Sequence, residues 1–391
     1  MGSVHLSYLT SHHEWVFMYF HLILTDNCNL CCRYCRAKAF QDLDESEGER
    51  ALTIDENLPV ELDFDLNTLY AFLEKDPSPT LTFYGGEPLL RSDLIERIVR
   101  EAPVKRFMMQ TNGILLDRLP ADIINRFTTI LVSLDGNREL TDANRGSGVY
   151  DRVMANLRSI RAKGYPGELV ARMTVTESSD IAGAVHYLAD NPDFPFSSIH
   201  WQVDANFAGD YALRGFADWA RDRYNPGIRQ LVGDWVDHME REGEVLKWYP
   251  FLDTMEDLLV GRESRLRCGS GYANYSIMTD GNIGPCPVMI GMSQYYVGHI
   301  SRSHPLKLSE VPVGGDCTDC RIRSFCGGRC LYSNITRPWG TAERRIVCDT
   351  VENLRTALVG ALPRVRELID KGTVTAESFS HEKYNGCEII P

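Results

Sequence analysis

Twelve cysteines in 391 residues constrain this chain most, because of where they fall. Four stand together as Cys28, Cys31, Cys32 and Cys35, and the next is Cys268. Cys286, Cys317, Cys320, Cys326, Cys330, Cys348 and Cys387 follow. Cysteines scattered by core packing would not leave the middle of the chain empty. Residues 1–14 hold no lysine or arginine, and the first apolar run, Trp15 to Leu24, is too short to cross a bilayer. The chain therefore reads as soluble and cytoplasmic, without membrane contact. In a reducing compartment such thiols serve metal or redox chemistry rather than disulfides. A formal charge of −13 argues against nucleic acid as a partner.

Between the cysteine groups, β-rich runs alternate with amphipathic segments, as in βα units around a parallel sheet. Six runs qualify: Phe17–Thr25, Thr80–Tyr84, Lys105–Gln110, Ile130–Leu134, Leu169–Val175 and Ser198–Val203. Their centres are apolar without alternation, as strands covered on both faces require. Apolar spacing of three to four predicts helices over Leu66–Glu74, Asp93–Glu101, Ala121–Phe127, Tyr150–Ala162 and Ile181–Leu188. The expected fold is α/β, a partial (β/α)6 TIM-like barrel. The organisation reads as an extension (1–16), the barrel (17–212), a helical bridge (213–262), a cysteine-rich domain (263–350), and a closing helix and tail (351–391). An acidic insert, Gln41 to Asp63, reads as a solvated loop, with a basic peptide as its sharper use. The closing helix is expected to be interrupted at Pro363.

Cys28, Cys32 and Cys35 form a C-x3-C-x2-C loop after the first strand, able to wrap three thiolates around one inorganic cluster. Three ligands leave one iron of a [4Fe–4S] cube open for a substrate or cosubstrate. Zinc with one distant ligand is the alternative that spacing leaves open. Tyr34 is placed to lay its ring against a flat heterocycle, and Cys31 lies outside the spacing. Tyr84-Gly85-Gly86-Glu87-Pro88 follows the second strand, where two glycines permit close backbone approach and Glu87 could meet a cationic amino group. Barrels of this kind place active sites at the C-terminal ends of their strands.

Cys28-x3-Cys32-x-Tyr34-Cys35 together with Gly85-Gly86-Glu87-Pro88 resembles the radical S-adenosylmethionine (SAM) enzymes. Gln110-Thr111-Asn112-Gly113, and Val132-Ser133-Leu134-Asp135-Gly136 with Arg145, look like further segments of that family. The resemblance implies that Cys28, Cys32 and Cys35 are both metal ligands and catalytic. It further implies that Tyr34, Gly85, Gly86, Glu87, Ser133 and Arg145 contact SAM.

Downstream, Cys317-x2-Cys320-x5-Cys326-x3-Cys330 with Cys348 is too dense for chance, and Cys268 and Cys286 flank a predicted hairpin at Asp280-Gly281. Zinc ribbons are the plain reading of that spacing. Beside the barrel, the region resembles a SPASM domain, a C-terminal cysteine-rich iron–sulfur domain. That likeness implies two auxiliary [4Fe–4S] clusters, an outer one on Cys317, Cys320, Cys326 and Cys348 and an inner one on Cys268, Cys286 and Cys330. The inner cluster lacks a fourth cysteine here; Cys387, another ligand or a substrate thiol are the options.

By the same resemblance, SAM is cleaved reductively to a 5′-deoxyadenosyl radical that abstracts hydrogen from a peptide or protein, with net oxidation such as crosslinking. The implied partners are that substrate, a reductant such as ferredoxin or flavodoxin, and a separate leader-peptide-binding protein. Sulfatase-maturating members carry an aspartate after the second inner-cluster cysteine, whereas Cys286 is followed by Pro287. The alternatives are a radical SAM enzyme acting on a small metabolite or RNA, and a non-catalytic zinc or iron–sulfur protein.

Overall fold

The computed structural model describes residues 17–35, 53–207, 209–338 and 340–391; the acidic insert lies outside them through residue 52. Six strands, β1 (Tyr19–Ile23), β2 (Thr80–Tyr84), β3 (Arg106–Thr111), β4 (Phe127–Ser133), β5 (Glu168–Val175) and β6 (Ser198–Val203), pair in consecutive order and in parallel. Their outward positions, such as Phe20, Leu22, Leu81, Phe83, Phe107 and Met109, are fully buried under the crossover helices. Leu66–Leu73 shows the local logic. Asp65 caps it by accepting from the Asn67 N–H, and Leu66, Leu69, Phe72 and Leu73 face the sheet. Phe72 meets Phe20 edge-on with ring centroids 5.3 Å apart. Each such side chain contributes about 1.5–3 kcal/mol of burial.

The expected helix Ala121–Phe127 is a single turn, Ala121–Ile124, because Phe127 opens β4 and packs against Phe83 and Phe107. A helix the periodicity did not reveal, Arg138–Arg145, is capped by Asn137 and buries Thr141, Asn144 and Arg145. Its inner face is polar and leaves no apolar stripe to read. The closing helix starts earlier than expected, spans Thr341–Asp370 and runs through Pro363 unbroken. Both Pro363 and Val359, whose carbonyl the proline leaves unbonded, lie on the solvent face, where water can replace the lost donor.

The sheet continues beyond the barrel on both sides. β7 (Lys247–Trp248) extends β6, and β8 (Asn274–Ile277) lies parallel to β1, with Tyr19 opposite Asn274 and Leu22 opposite Ile277. β8 turns at Asp280-Gly281 into antiparallel β9 (Asn282–Gly284), and β10 (Gly298–His299) closes the edge. The expected hairpin is present, and it is hydrogen-bonded into the barrel sheet itself. No helix among the described residues is long and apolar enough to cross a membrane.

Residues 381–391 fold back against the barrel. Glu382 pairs with Arg106 of β3, Tyr384 meets Tyr19 of β1 edge-on, and the Gly386 backbone lies near Leu131 of β4. Lys383 and His381 are held by Asp253, with Lys383 also bonded to Glu256. These cations already neutralise the Asp253–Glu256–His381 cluster, which therefore reads as an anchor. Glu388 is fully buried, accepts from the Asn385 N–H at 3.3 Å, and leaves Oε2 without a partner. Burial, opposed by nearby His381, pushes its carboxyl up from 4.5 to about 7. Because the folded carboxyl holds its proton more tightly than the unfolded one, the stability it lends is full below about pH 4.5 and is lost as pH rises through about 7. Glu388→Gln, a mimic of the protonated acid, should be near-neutral at pH 5 and stabilising by about 1–3 kcal/mol at pH 8. Urea unfolding at the two pH values measures this; an equal effect at both would contradict it.

Candidate active site

The cysteine loop leaves the C-terminal end of β1 and rests on the glycine segment after β2. Gly86 donates its N–H to the Thr25 carbonyl and Glu87 donates to the Asn27 carbonyl, both at 2.9 Å. The two backbones approach so closely that a Cβ on Gly85 would lie 2.2 Å from Thr25 O, and one on Gly86 2.2 Å from Asn27 O. Gly85 also has φ +148°. Glu87 is buried beneath: Oε1 accepts from Thr111 Oγ1 (2.7 Å) and the Leu89 N–H (3.1 Å), and Oε2 accepts from the Asn112 N–H (2.7 Å). Burial pushes its carboxyl up to about 7. Both of its oxygens thus tie the ends of β2 and β3 together. Asn112 reaches back, its Nδ2 donating to Asn29 Oδ1 at 2.7 Å and lying 3.8 Å from Cys28 Sγ.

Opposite, Asp135 organises the wall. Arg145 grips it through Nε and Nη2 at 3.1 and 2.8 Å, Tyr34 donates its hydroxyl to Oδ2 at 2.6 Å, and the Thr174 N–H adds a fourth bond. The Arg145 guanidinium also stands 5.5 Å from the Tyr34 ring centre. Tyr34 is thereby fixed at the cavity edge, with Arg145 held between it and Asp135.

Cys28, Cys32 and Cys35 converge. Burial pushes the Cys32 thiol up to about 11, with Cys35 and Cys28 adding repulsion and Arg145 opposing. Cys31 is exposed and lies on the same cavity. The three thiols open onto one cavity of about 460 Å³, which Gly85, Gly86, Glu87, Tyr34, Ser133 and Arg145 also line. Its far wall carries Cys268, Cys286 and Cys330. Burial raises the Cys268 thiol to about 11 and raises Cys286 further, each also pushed by Cys330. A second cavity of about 290 Å³ collects Cys317, Cys320, Cys326 and Cys348. Cys387 is buried elsewhere, its surroundings being Glu388, Arg172 and Glu168 rather than another thiol.

Residues that sequence reasoning missed also line the first cavity. Arg172 donates to Gln202 Oε1 at 3.0 Å, its buried Nε has no partner, and it meets no carboxylate among the described residues. His21 Nδ1 lies 2.9 Å from Asn274 Oδ1, and Asn274 Nδ2 donates to the Cys268 carbonyl at 3.2 Å. That second bond orients the amide, so His21 carries its proton on Nδ1. Burial holds its imidazole down at about 4. The signal was available: His21, Arg172 and Gln202 are polar residues within or near the C-terminal halves of strands otherwise rich in apolar residues.

Residues 22–178 match the radical SAM superfamily. The chain carries a radical SAM domain. Fe-coproporphyrin III synthase of Methanosarcina barkeri is 34% identical over 146 residues, 36% of this chain and 33% of that protein. GTP 3′,8-cyclase of Synechococcus elongatus is 33% identical over 197 residues, 47% of this chain and 55% of that one. The chain thus spans a third to about half of these curated relatives. Mycofactocin maturase MftC of Mycobacterium tuberculosis is 24% identical over 344 residues, 80% of this chain and 78% of that one. Among solved structures, anSMEcpe with bound AdoMet superposes with a TM-score of 0.64 at 16% identity, covering 91% of this chain and 99% of that one. The fold is a partial barrel, its radical SAM match spanning residues 22–178, followed by a cysteine-rich region.

The donor sets fit iron–sulfur clusters. Three soft thiolates converge beside the glycine segment with no carboxylate or imidazole among them, as a [4Fe–4S] cluster with one open iron requires. Thiols whose burial opposes ionisation are ones a bound metal would hold as thiolates. Gly86→Ala should displace the cysteine loop and lower iron by about one third after anaerobic reconstitution, since one cluster of three is lost. Full iron content in that variant would contradict the packing argument. Asp135→Asn leaves buried Arg145 without its counter-charge and should cost about 3–5 kcal/mol in denaturant unfolding.

Proposed function

We propose that this chain is a radical SAM enzyme that modifies a peptide or protein substrate by net oxidation. The observation that carries the reading is the single cavity joining Cys28, Cys32 and Cys35 to Cys268, Cys286 and Cys330. When bound, the cluster and SAM together supply a 5′-deoxyadenosyl radical that takes a hydrogen atom from carbon. The chain's own residues place and shield the reacting groups. Gly85 and Gly86 bring bare backbone to the SAM position, Tyr34 flanks it, and Ser133 stands beside Arg172 in the β4–β5 register. Arg172, lacking a carboxylate partner, offers a counter-charge to a carboxylate of SAM or substrate. His21, kept neutral by burial and paired through Nδ1 with Asn274, lines the cavity as an uncharged polar group.

The full-length fold match supports a peptide substrate, because anSMEcpe superposes equally well with a bound Cp18Cys peptide, at a TM-score of 0.63. The two further thiolate sites support net oxidation, and the chemistry calls for a one-electron reductant such as ferredoxin or flavodoxin. A small-molecule substrate is the second reading, favoured by the names of the relatives that match 36% and 47% of this chain. Pro287 after Cys286 speaks against sulfatase maturation.

Anaerobic reconstitution with iron, sulfide and SAM cleavage measured in one sample tests the proposal: about twelve irons per chain with 5′-deoxyadenosine formation is expected. Cys32→Ala should abolish 5′-deoxyadenosine while about eight irons remain. Continued cleavage by that variant would overturn the assignment. Hydrogen transfer from a precursor peptide encoded nearby, against none from metabolites, separates the two substrate readings.

A further inference from the structure

The cavity of the outer cysteines opens at the protein surface, where Cys348 is exposed and Cys317, Cys320 and Cys326 are half-buried. Its mouth is rich in arginine. Arg323, Arg329, Arg337, Arg344 and Arg345 line it against one acid, Asp316. Between Cys317 and Cys348 the sequence holds six arginines and two acids, Asp319 and Glu343, in a chain whose formal charge is −13. The sign of the charge is therefore reversed at this one site. Separate segments bring the cations together: Arg323 opens the turn Arg323–Cys326, Arg337 follows the helix Leu331–Thr336, and Arg344 and Arg345 stand near the start of Thr341–Asp370.

The fold uses few of these charges internally. Arg344 is matched by Asp316, and Arg323 gives its Nη1 proton to the Thr318 carbonyl at 2.8 Å. Arg345 forms no ion pair among the described residues. Just outside the mouth, the Arg321 side chain is 81% exposed and lies 3.7 Å from Glu352. Arg323, Arg337 and Arg345 are exposed as well. Water screens such cations from the thiolates, so they do little to hold the cysteines and much to shape the field that an approaching protein meets. None of Cys28, Cys32 and Cys35 lines this cavity. A molecule seated here meets the outer site and not the SAM position.

We propose that this arginine rim is the docking surface of a small one-electron carrier protein with an acidic face, which exchanges electrons with the outer site. The inference rests on the function proposed above and on the reading of Cys317, Cys320, Cys326 and Cys348 as ligands of a [4Fe–4S] cluster. A single electron crosses between carrier and cluster, one being oxidised as the other is reduced, with no bond made or broken and no proton moved. Electron-transfer partners meet through small, transient contacts steered by charge, for which a rim of this kind suffices.

The test is binding of an acidic flavodoxin, oxidised and without SAM, to the anaerobically reconstituted protein, measured by interferometry at about 50 and about 300 mM salt. Arg323→Glu combined with Arg345→Glu should weaken affinity about tenfold at the lower salt, chiefly through the association rate, and less at the higher. Arg323→Gln combined with Arg345→Gln should weaken it to a smaller extent. Arg241→Glu, which reverses an exposed arginine on the helix Asn225–Glu242, should leave it unchanged. Iron is measured in every variant. Unchanged affinity in both rim variants with iron intact would overturn the docking site, as would equal weakening by Arg241→Glu. Rim-dependent binding of a poly-glutamate peptide, with none of flavodoxin, would overturn the choice of an electron carrier. Absence of auxiliary iron from the parent protein would instead overturn the cluster reading and this inference with it.

Discussion

The parallel ladder between Tyr19–Leu22 and Asn274–Ile277 is the contact on which the site depends. One end of β1 launches the loop of Cys28, Cys32 and Cys35, and β8 follows Cys268 and leads through its hairpin to Cys286. Sharing an edge therefore places thiols from distant parts of the sequence around one space. Without that ladder the cysteine-rich region would be a separate domain with no fixed relation to the barrel mouth.

The glycine segment fixes the loop's height. Backbone-to-backbone bonds from Gly86 and Glu87 to Thr25 and Asn27 leave no room for a Cβ, so this junction tolerates no side chain. Glu87 and Asp135 then act as buried acceptors that fasten neighbouring strand ends, one through neutral donors and the other through Arg145. Each satisfies its oxygens with several donors, as a buried carboxylate must.

Much of this was legible in the sequence because the barrel strands are continuous apolar runs and the cysteine spacing is local. Thr80–Tyr84 and Ser198–Val203 match the observed strands end to end. What escaped has a physical reason in each case. β7 has two residues, too few to carry a pattern, and the parallel pairing of the expected hairpin's first strand, β8, with β1 is a long-range contact that local sequence does not encode. Arg138–Arg145 buries a polar face around Asp135, and Pro363 lies on a solvated face where the helix tolerates it. Arg172 and His21 looked like ordinary strand residues until the barrel turned them inward. Glu87 and Arg145, which the resemblance gives as SAM contacts, line the cavity and also hold neighbouring protein groups, a second role that the sequence did not reveal.

The central claim is that two three-cysteine sites face one another across a single cavity while a four-cysteine site lies behind. Iron-edge anomalous diffraction from anaerobically reconstituted crystals tests it most directly. The account predicts three iron-rich peaks: one at Cys28, Cys32 and Cys35, one across the same cavity at Cys268, Cys286 and Cys330, and one within Cys317, Cys320, Cys326 and Cys348. A zinc-edge signal in the C-terminal region, or an inner peak turned away from the cavity, would contradict it.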